Sequence, residues 1–275
     1  MRSFTPTRIG YLMNSSGINT LSVLFCVNRS NPHLHAAINS VLNQTHGEFE
    51  FLIGANACSD EFFQELTAFE QDPRVRLFRT RMPQLAFTLN YLAEQAKGDW
   101  FIRMDADDLC EPHRFERLLN FIATGEHDVI GSWATLIDAE DRVIGQFMPP
   151  GDPAGIRRKL LFSNPIAHPT VAFSRDFLLK MRGYLGGFVS EDLDLWMRAI
   201  RSGARLKNIE EPLLRYRMHD GQVSRSRLGY AEAASHWHRE LLVSPSLYAL
   251  LGWLIAATKA IAMPLRHWFK SKAAP

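Results

Sequence analysis

Short apolar runs and helix-spaced stretches take turns along the first half of the chain. Residues 21–27 (LSVLFCV) form an apolar run with β-branched members, and residues 33–42 place Leu34, Ala37, Ile38, Val41 and Leu42 at helical intervals. The same alternation predicts strands at 49–53 and 75–79 and helices at 61–69 and 84–95. Gly98 is a helix stop before a further strand at 100–104. A helix over 114–122 follows Pro112 and gathers Phe115, Leu118, Leu119 and Ile122 on one face. Strand-like segments 129–132 and 134–137 lead into a hairpin through 138–142. Strands and helices in alternation, with short connections, predict an α/β fold whose mainly parallel sheet is flanked by helices on both faces. After Pro149-Pro150-Gly151 the alternation is less regular, and neither a repeat nor a convincing linker divides the core.

Composition narrows this picture. With 275 residues, 46% of them hydrophobic, the chain can bury a large core. The 31 Lys and Arg nearly balance the 29 Asp and Glu, a net charge of +2 that argues against a dedicated nucleic-acid binder. Cys26, Cys58 and Cys110 have no CxxC spacing and are odd in number, which fits a reducing cytosol better than a disulfide framework or a zinc site.

The first 20 residues lack the apolar core of a signal peptide and read as an extension. At the other end, 247–258 (LYALLGWLIAAT) carries no charge before Lys259 interrupts it, and the basic-aromatic RHWFKSK comes soon after. That run is near the lower limit of the roughly 17–25 residues of a membrane span, so an interfacial helix drawn to anionic headgroups is favoured. The alternative is a helix packed on the protein or on a partner. The expected division is therefore 1–20, 21–225 and a helical, membrane-associating 226–275. The expected location is cytoplasmic, peripheral at the inner face of the cell membrane.

Four polar groups carry candidate chemistry. In WFIRMDADDLCEP, Asp105, Asp107 and Asp108 come directly after a buried strand, where sheets of this class bind ligands beyond the strands' carboxyl ends. Such a cluster either holds a hard divalent cation with a substrate diphosphate or caps the next helix. Glu191, Asp192 and Asp194 open a helix containing Leu195, Trp196 and Ile200. They either complement its dipole or supply a general base. His219 lies in YRMHDGQVS with Gln222 and Ser224, and His168 lies between Pro165 and Pro169 ahead of an apolar strand. His33, His35, His236 and His238 have no evident partner and default to the surface. The phosphate cradles GxxxxGK[ST] and GxGxxG and the nucleophile elbow GxSxG are all missing.

In order, these segments resemble the family 2 glycosyltransferases, inverting enzymes of GT-A fold that use nucleotide-diphosphate sugars. The resemblance runs from about Leu21 to Ser224. The opening LSVLFCVNRSNPHLHAAINSVLNQT has Asn28, Ser40, Gln44 and Thr45 at matching places, and RMDADD, HPTVAF, SEDLDLWMR and YRMHDGQVS come after it. It implies a Rossmann-like GT-A sheet and a metal, Mg or Mn, held by Asp105 and Asp107 with Asp108 nearby. It also implies Asp192 as the base that deprotonates the acceptor hydroxyl, Glu191 assisting it, His219 on the diphosphate or metal, and the HPTVAF segment with His168 on the acceptor side. Asn28, Asn56 and Asp60 fall on the nucleotide side. The partners implied are a nucleotide-diphosphate sugar, with UDP as the default, and a glycan or glycolipid acceptor in cell-surface polysaccharide or lipopolysaccharide synthesis.

Two departures stand out. Where relatives carry Asp-Asp-Gly-Ser-x-Asp, this chain has Ala55-Asn56-Ala57-Cys58-Ser59-Asp60, which leaves the donor nucleotide open. The Gln-x-x-Arg-Trp of processive relatives is absent, favouring transfer of a single sugar. The competing expectation is a noncatalytic nucleotide- or glycan-binding relative that has lost donor use.

Overall fold

The computed structural model describes residues 20–219 and 227–272. Its first half matches the alternation: β1 (Leu21–Val27), α1 (Leu34–Leu42), β2 (Phe49–Asn56), α2 (Asp60–Leu66), β3 (Val75–Thr80), α3 (Leu85–Gln95) and β4 (Trp100–Met104). These four strands lie parallel in the order β3-β2-β1-β4, with Leu21 opposite both Phe49 and Trp100. Alternate residues of β1 feed opposite cores. Val23 and Phe25 pack with α1 and α2, whereas Leu24 and Cys26 pack with α3.

The sheet then changes character. Beyond β4 come β5 (Leu109–Cys110), α4 (Arg114–Ile122), β6 (Val129–Ile137), β7 (Val143–Phe147), α5 (Pro153–Leu160), β8 (Ala172–Ser174), α6 (Arg175–Lys180), α7 (Glu191–Arg201) and β9 (Leu206–Arg217). Strand β8 runs antiparallel to both β4 and β6, β9 is parallel to β6, and β5 is antiparallel to β9. The expected mainly parallel sheet is thus corrected to a mixed one: parallel over β3, β2, β1 and β4, mixed in the rest. The three-residue β8 gives no periodic signal of its own, and it alone joins β4 to β6. The segments 129–132 and 134–137 are one strand. Its ladder with β9 shifts register at Trp133, opposite Pro212, which has no N–H to give. The hairpin through 138–142 is present between β6 and β7.

Two helices complete the described chain, α8 (Arg227–Val243) and α9 (Leu247–Lys272). They pack against each other so closely that a side chain at Gly252 would run into the Trp237 ring. Buried Ala249 and Ala256 lie on the inward face of α9, while Leu247, Leu250, Leu251, Leu254 and Ile261 remain exposed at helical spacing on the other. No helix among the described residues is long and apolar enough to cross a membrane.

Candidate active site

Strand β4 ends in Arg103 and Met104, and the acidic loop begins at once. Arg103 is fully buried, donates to the Met104 carbonyl and pairs with Asp105. Burial opposes its charge, but Asp105, Cys26 and Tyr184 together outweigh that and raise its pKa. Asp107 turns towards His219, 3.1 Å away, and burial followed by repulsion from Asp105 raises its pKa. Asp108 points inward. It is completely buried and accepts the Arg217 backbone N–H at 2.7 Å, while its second oxygen has no hydrogen-bond partner. Burial pushes its pKa well up. The three acids expected to act together are therefore split, with Asp105 and Asp107 on the loop and Asp108 beneath it. Among the described residues no three His, Cys, Asp or Glu side chains converge as a metal cage.

The family-like positions of α1 fasten the chain just past this loop. Ser40 accepts the Cys110 N–H at 3.0 Å, Gln44 bridges the Glu111 carbonyl and the Phe115 N–H, and the Thr45 N–H donates to the Pro112 carbonyl. The remaining residues expected on the nucleotide side sit at the ends of neighbouring strands. Asn28 is exposed in the bend after β1, and Asn56, buried, ends β2. Ala57, where relatives carry glycine, keeps that residue's left-handed backbone with φ of 49°. Asp60 starts α2 and pairs with Arg79 at 2.6 Å, and Ser59 caps the helix through the Phe62 N–H.

The second acidic pair opens α7. Asp192 accepts the Leu193 N–H at 2.7 Å and the Asn164 amide at 2.5 Å. Burial pushes its pKa up to about 6 against those hydrogen bonds. Glu191, raised to about 7 by burial and then by Asp192, lies 3.9 Å from the Nδ1 of His168. His168 is buried, which together with the Arg103 charge holds its pKa well below the usual range, and its Nε2 meets the Tyr184 hydroxyl at 2.8 Å. Asp194 takes a structural part, paired with Arg198 at 2.8 Å and with Arg239 of α8 at 2.5 Å.

A cavity of ≈ 710 Å³ joins these groups. Asp105, His168, Asn164, Glu191 and Asp192 line it, with Tyr230, Trp237 and Lys259 from the C-terminal helices. Asn28, Asn56, Asp60, Asp107 and His219 do not line it, so of the residues expected on the nucleotide side Asp105 alone reaches the cavity that contains the second acidic pair. Gln222 and Ser224 lie outside the described residues.

Several residues here escaped the sequence reading. Arg103 had a visible signal, a charge inside an otherwise apolar strand. Asn164 and Tyr184 had none, since they lie 28 and 16 positions from their partners. Glu232 and His236 of α8 clasp the loop before the acids. Glu232 accepts the Phe188 and Val189 N–H groups at 2.7 and 3.2 Å and the Ser190 hydroxyl at 2.5 Å, and His236 meets that hydroxyl at 3.0 Å. His236 was expected at the surface without a partner; this contact corrects that.

Likeness to known proteins shows the family and the fold. The family described as Glycosyl transferase family 2 matches residues 22–182, more than half of the chain. The chain is 35% identical over 248 residues to the O-antigen biosynthesis glycosyltransferase WbnJ of Escherichia coli, covering 89% of this chain and 97% of that protein. It is 28% identical over 177 residues to the UDP-Gal:alpha-D-GlcNAc-diphosphoundecaprenol beta-1,3-galactosyltransferase of Escherichia coli, covering 58% and 60%. Among solved structures, S. aureus TarS 1-349 superposes with a TM-score of 0.68 at 15% identity over 89% of this chain and 73% of that one. Its complex with UDP-GlcNAc gives 0.63 at 16% identity, over 90% and 83%. The chain belongs to glycosyl transferase family 2.

Replacing the clasp tests its role in the site. Glu232→Ala frees two N–H groups and a hydroxyl next to Glu191, and misplacement of this kind is expected to lower kcat by about tenfold or more. KM for the donor should move little, because the nucleotide side is untouched. Steady-state transfer kinetics read both, and Glu232→Gln, which keeps one acceptor, should recover part of the loss.

Proposed function

We propose that this chain moves one sugar from a nucleotide-diphosphate sugar to a hydroxyl of a glycan or glycolipid acceptor, with inversion, during cell-surface polysaccharide or lipopolysaccharide synthesis. The observation that carries the reading is the shared cavity, which brings the Asp192 carboxylate and the end of the acidic loop to one space. Asp192 removes the acceptor proton as that oxygen attacks the anomeric carbon and the nucleotide diphosphate departs from the opposite face. Asn164 and the Leu193 N–H fix the orientation of Asp192, while Glu191, with its higher pKa, assists it from the adjoining position. A noncatalytic binding relative would need neither buried acid.

For a divalent cation, Asp105 and Asp107 offer the hard oxygen donors that Mg or Mn takes, and such ions complete their shell with water and substrate phosphate, so two carboxylates suffice. Asp108, turned to Arg217, is left out of that set. When bound, the metal would neutralise the charge of the departing diphosphate. His219 would hold Asp107 in place. Asn28, Asn56 and Asp60, after β1, at the end of β2 and at the start of α2, would take the nucleotide. The TarS complexes contain UDP and UDP-GlcNAc and the E. coli galactosyltransferase is named for UDP-Gal, which supports a uridine nucleotide here. The exposed leucines of α9 support peripheral attachment to the inner face of the cell membrane.

Three outcomes test this reading. With a panel of nucleotide sugars, Mg or Mn and a membrane glycolipid extract, Asp192→Asn should bind donor as wild type does yet lose transfer by about 10²–10⁴-fold, the usual reach of a general base. Unchanged turnover would remove Asp192 as the base. The base works as a carboxylate, and burial raises the pair to about 6 and about 7, so kcat/KM should rise as pH climbs through that window and level above it. A profile flat from pH 5 to 8 would contradict it. Finally, Leu250→Glu with Leu254→Glu should shift the protein from sedimenting phosphatidylglycerol vesicles to the supernatant.

A further inference from the structure

Tyr216 of β9 lines the cavity along with Leu136, Phe147 and Met218. The strand fixes where it sits. Tyr216 lies across from Leu136 of β6, and both its chain neighbours are tied to the acidic loop: Arg215 pairs with Leu109 of β5, and the Arg217 N–H is held by Asp108. Leu214, two positions earlier and so on the same face of the strand, is wholly buried, and the Tyr216 side chain packs against the core that contains it. The ring therefore keeps its place relative to Asp105 and Asp107. Its hydroxyl has no hydrogen bond among the described residues. The phenol is pushed above its usual pKa first by burial and then by the Asp105, Asp108, Asp192 and Asp107 carboxylates, so it stays a neutral group that can both donate and accept. A hydroxyl within range of the charges of the loop and of Asp192 lies in the space between them.

In an inverting transfer the sugar in transit occupies that space, because the base stands at the attacked face and the diphosphate leaves from the opposite one. We propose that Tyr216 selects the donor sugar, its phenol forming a hydrogen bond with one hydroxyl of the sugar being transferred. The proposal rests on the transferase reading and adds to it a residue that tells donors apart. Two features favour a sugar hydroxyl over a phosphate as the partner. An anion at this point would meet the like charge of Asp192, whereas a sugar hydroxyl is neutral and, like the phenol, both donates and accepts. A phenol without a partner in a partly buried site is also unfavourable, so the sugar completes the site when it binds. Hexoses differ chiefly in the direction of single hydroxyls, and a fixed phenol that needs one of them discriminates against a sugar that lacks it.

Steady-state transfer by the full chain to a membrane glycolipid extract tests it. The donors are whichever of UDP-Glc, UDP-Gal, UDP-GlcNAc and UDP-GalNAc is used best, and the deoxy forms of that donor, each lacking one sugar hydroxyl. Wild type should use one deoxy donor about tenfold or more less well than the parent, by kcat/KM. In Tyr216→Phe the parent and that deoxy donor should be used alike, the penalties at the other positions should persist, and inhibition by UDP should match wild type. A phenylalanine that merely disturbed the fold would lower every donor together and leave the pattern of penalties unchanged, and that result would overturn the proposal. So would a wild type that uses all the deoxy donors equally, or a variant whose main loss is in affinity for UDP. Should the variant turn over too slowly to read, calorimetric binding of the same donors gives the same comparison. A wild type that uses none of the four parent donors strikes the uridine-sugar transferase reading on which the proposal rests; an unchanged pattern in an active variant strikes Tyr216 alone.

Discussion

Three carboxylates in four positions at the end of a buried strand can be tolerated only if positive charge is built in around them. This chain does so with buried arginines. Arg103 stands behind Asp105, and Arg217 reaches the Asp107 carbonyl at 2.8 Å while its backbone N–H meets Asp108. Arg114 reaches the Arg103 and Pro169 carbonyls at 3.0 and 2.8 Å, tying the acidic loop's strand to the segment that carries His168. The Arg103 charge also reaches Glu191, His168 and Tyr184. One buried cation thus acts on both acidic groups and on the histidine between them, which is how segments far apart in sequence share an electrostatic environment.

The change from parallel to mixed pairing after β4 organises the rest. The carboxyl ends of the parallel strands carry Asn28, Asn56 and the acidic cluster, as expected for ligand sites in such sheets. The mixed half contributes His168, the α7 acids and His219. The C-terminal helices are fixed to this half by several polar ties. Besides the Glu232 clasp, Arg239 reaches Asp194 and Glu240 pairs with Arg201. The C-terminal segment is therefore part of the cavity wall, packed through one face of α9 while exposed leucines lie on the other.

The parallel half was legible because each element there buries one face and repeats at its own period. The apolar run of β1 and the spacing of α1 match their places to within a residue. The mixed half was harder to read for physical reasons. β5 and β8 are two and three residues long, too short for any period, and β9 is broken by Pro212 and two glutamates at its register shift. The candidate site divided in the same way. Asp105 and Asp192 were readable as acids at element boundaries, but the sequence did not disclose that burial raises Asp192, that Asp108 points inward or that Asn164 and Glu232 would arrive from elsewhere.

The pairing of β5 with β9 carries a consequence for biosynthesis. Asp108 receives its hydrogen bond from a residue 109 positions later, and Leu109 and Cys110 find their strand partners in Arg215 and Leu214. Chains emerge from the ribosome amino end first, and contacts this distant wait for the later segment. The parallel strands can assemble early, but the acidic loop stays unfinished until β9 has been made. A nascent chain stalled before that point would have its four parallel strands in place and no completed acidic loop.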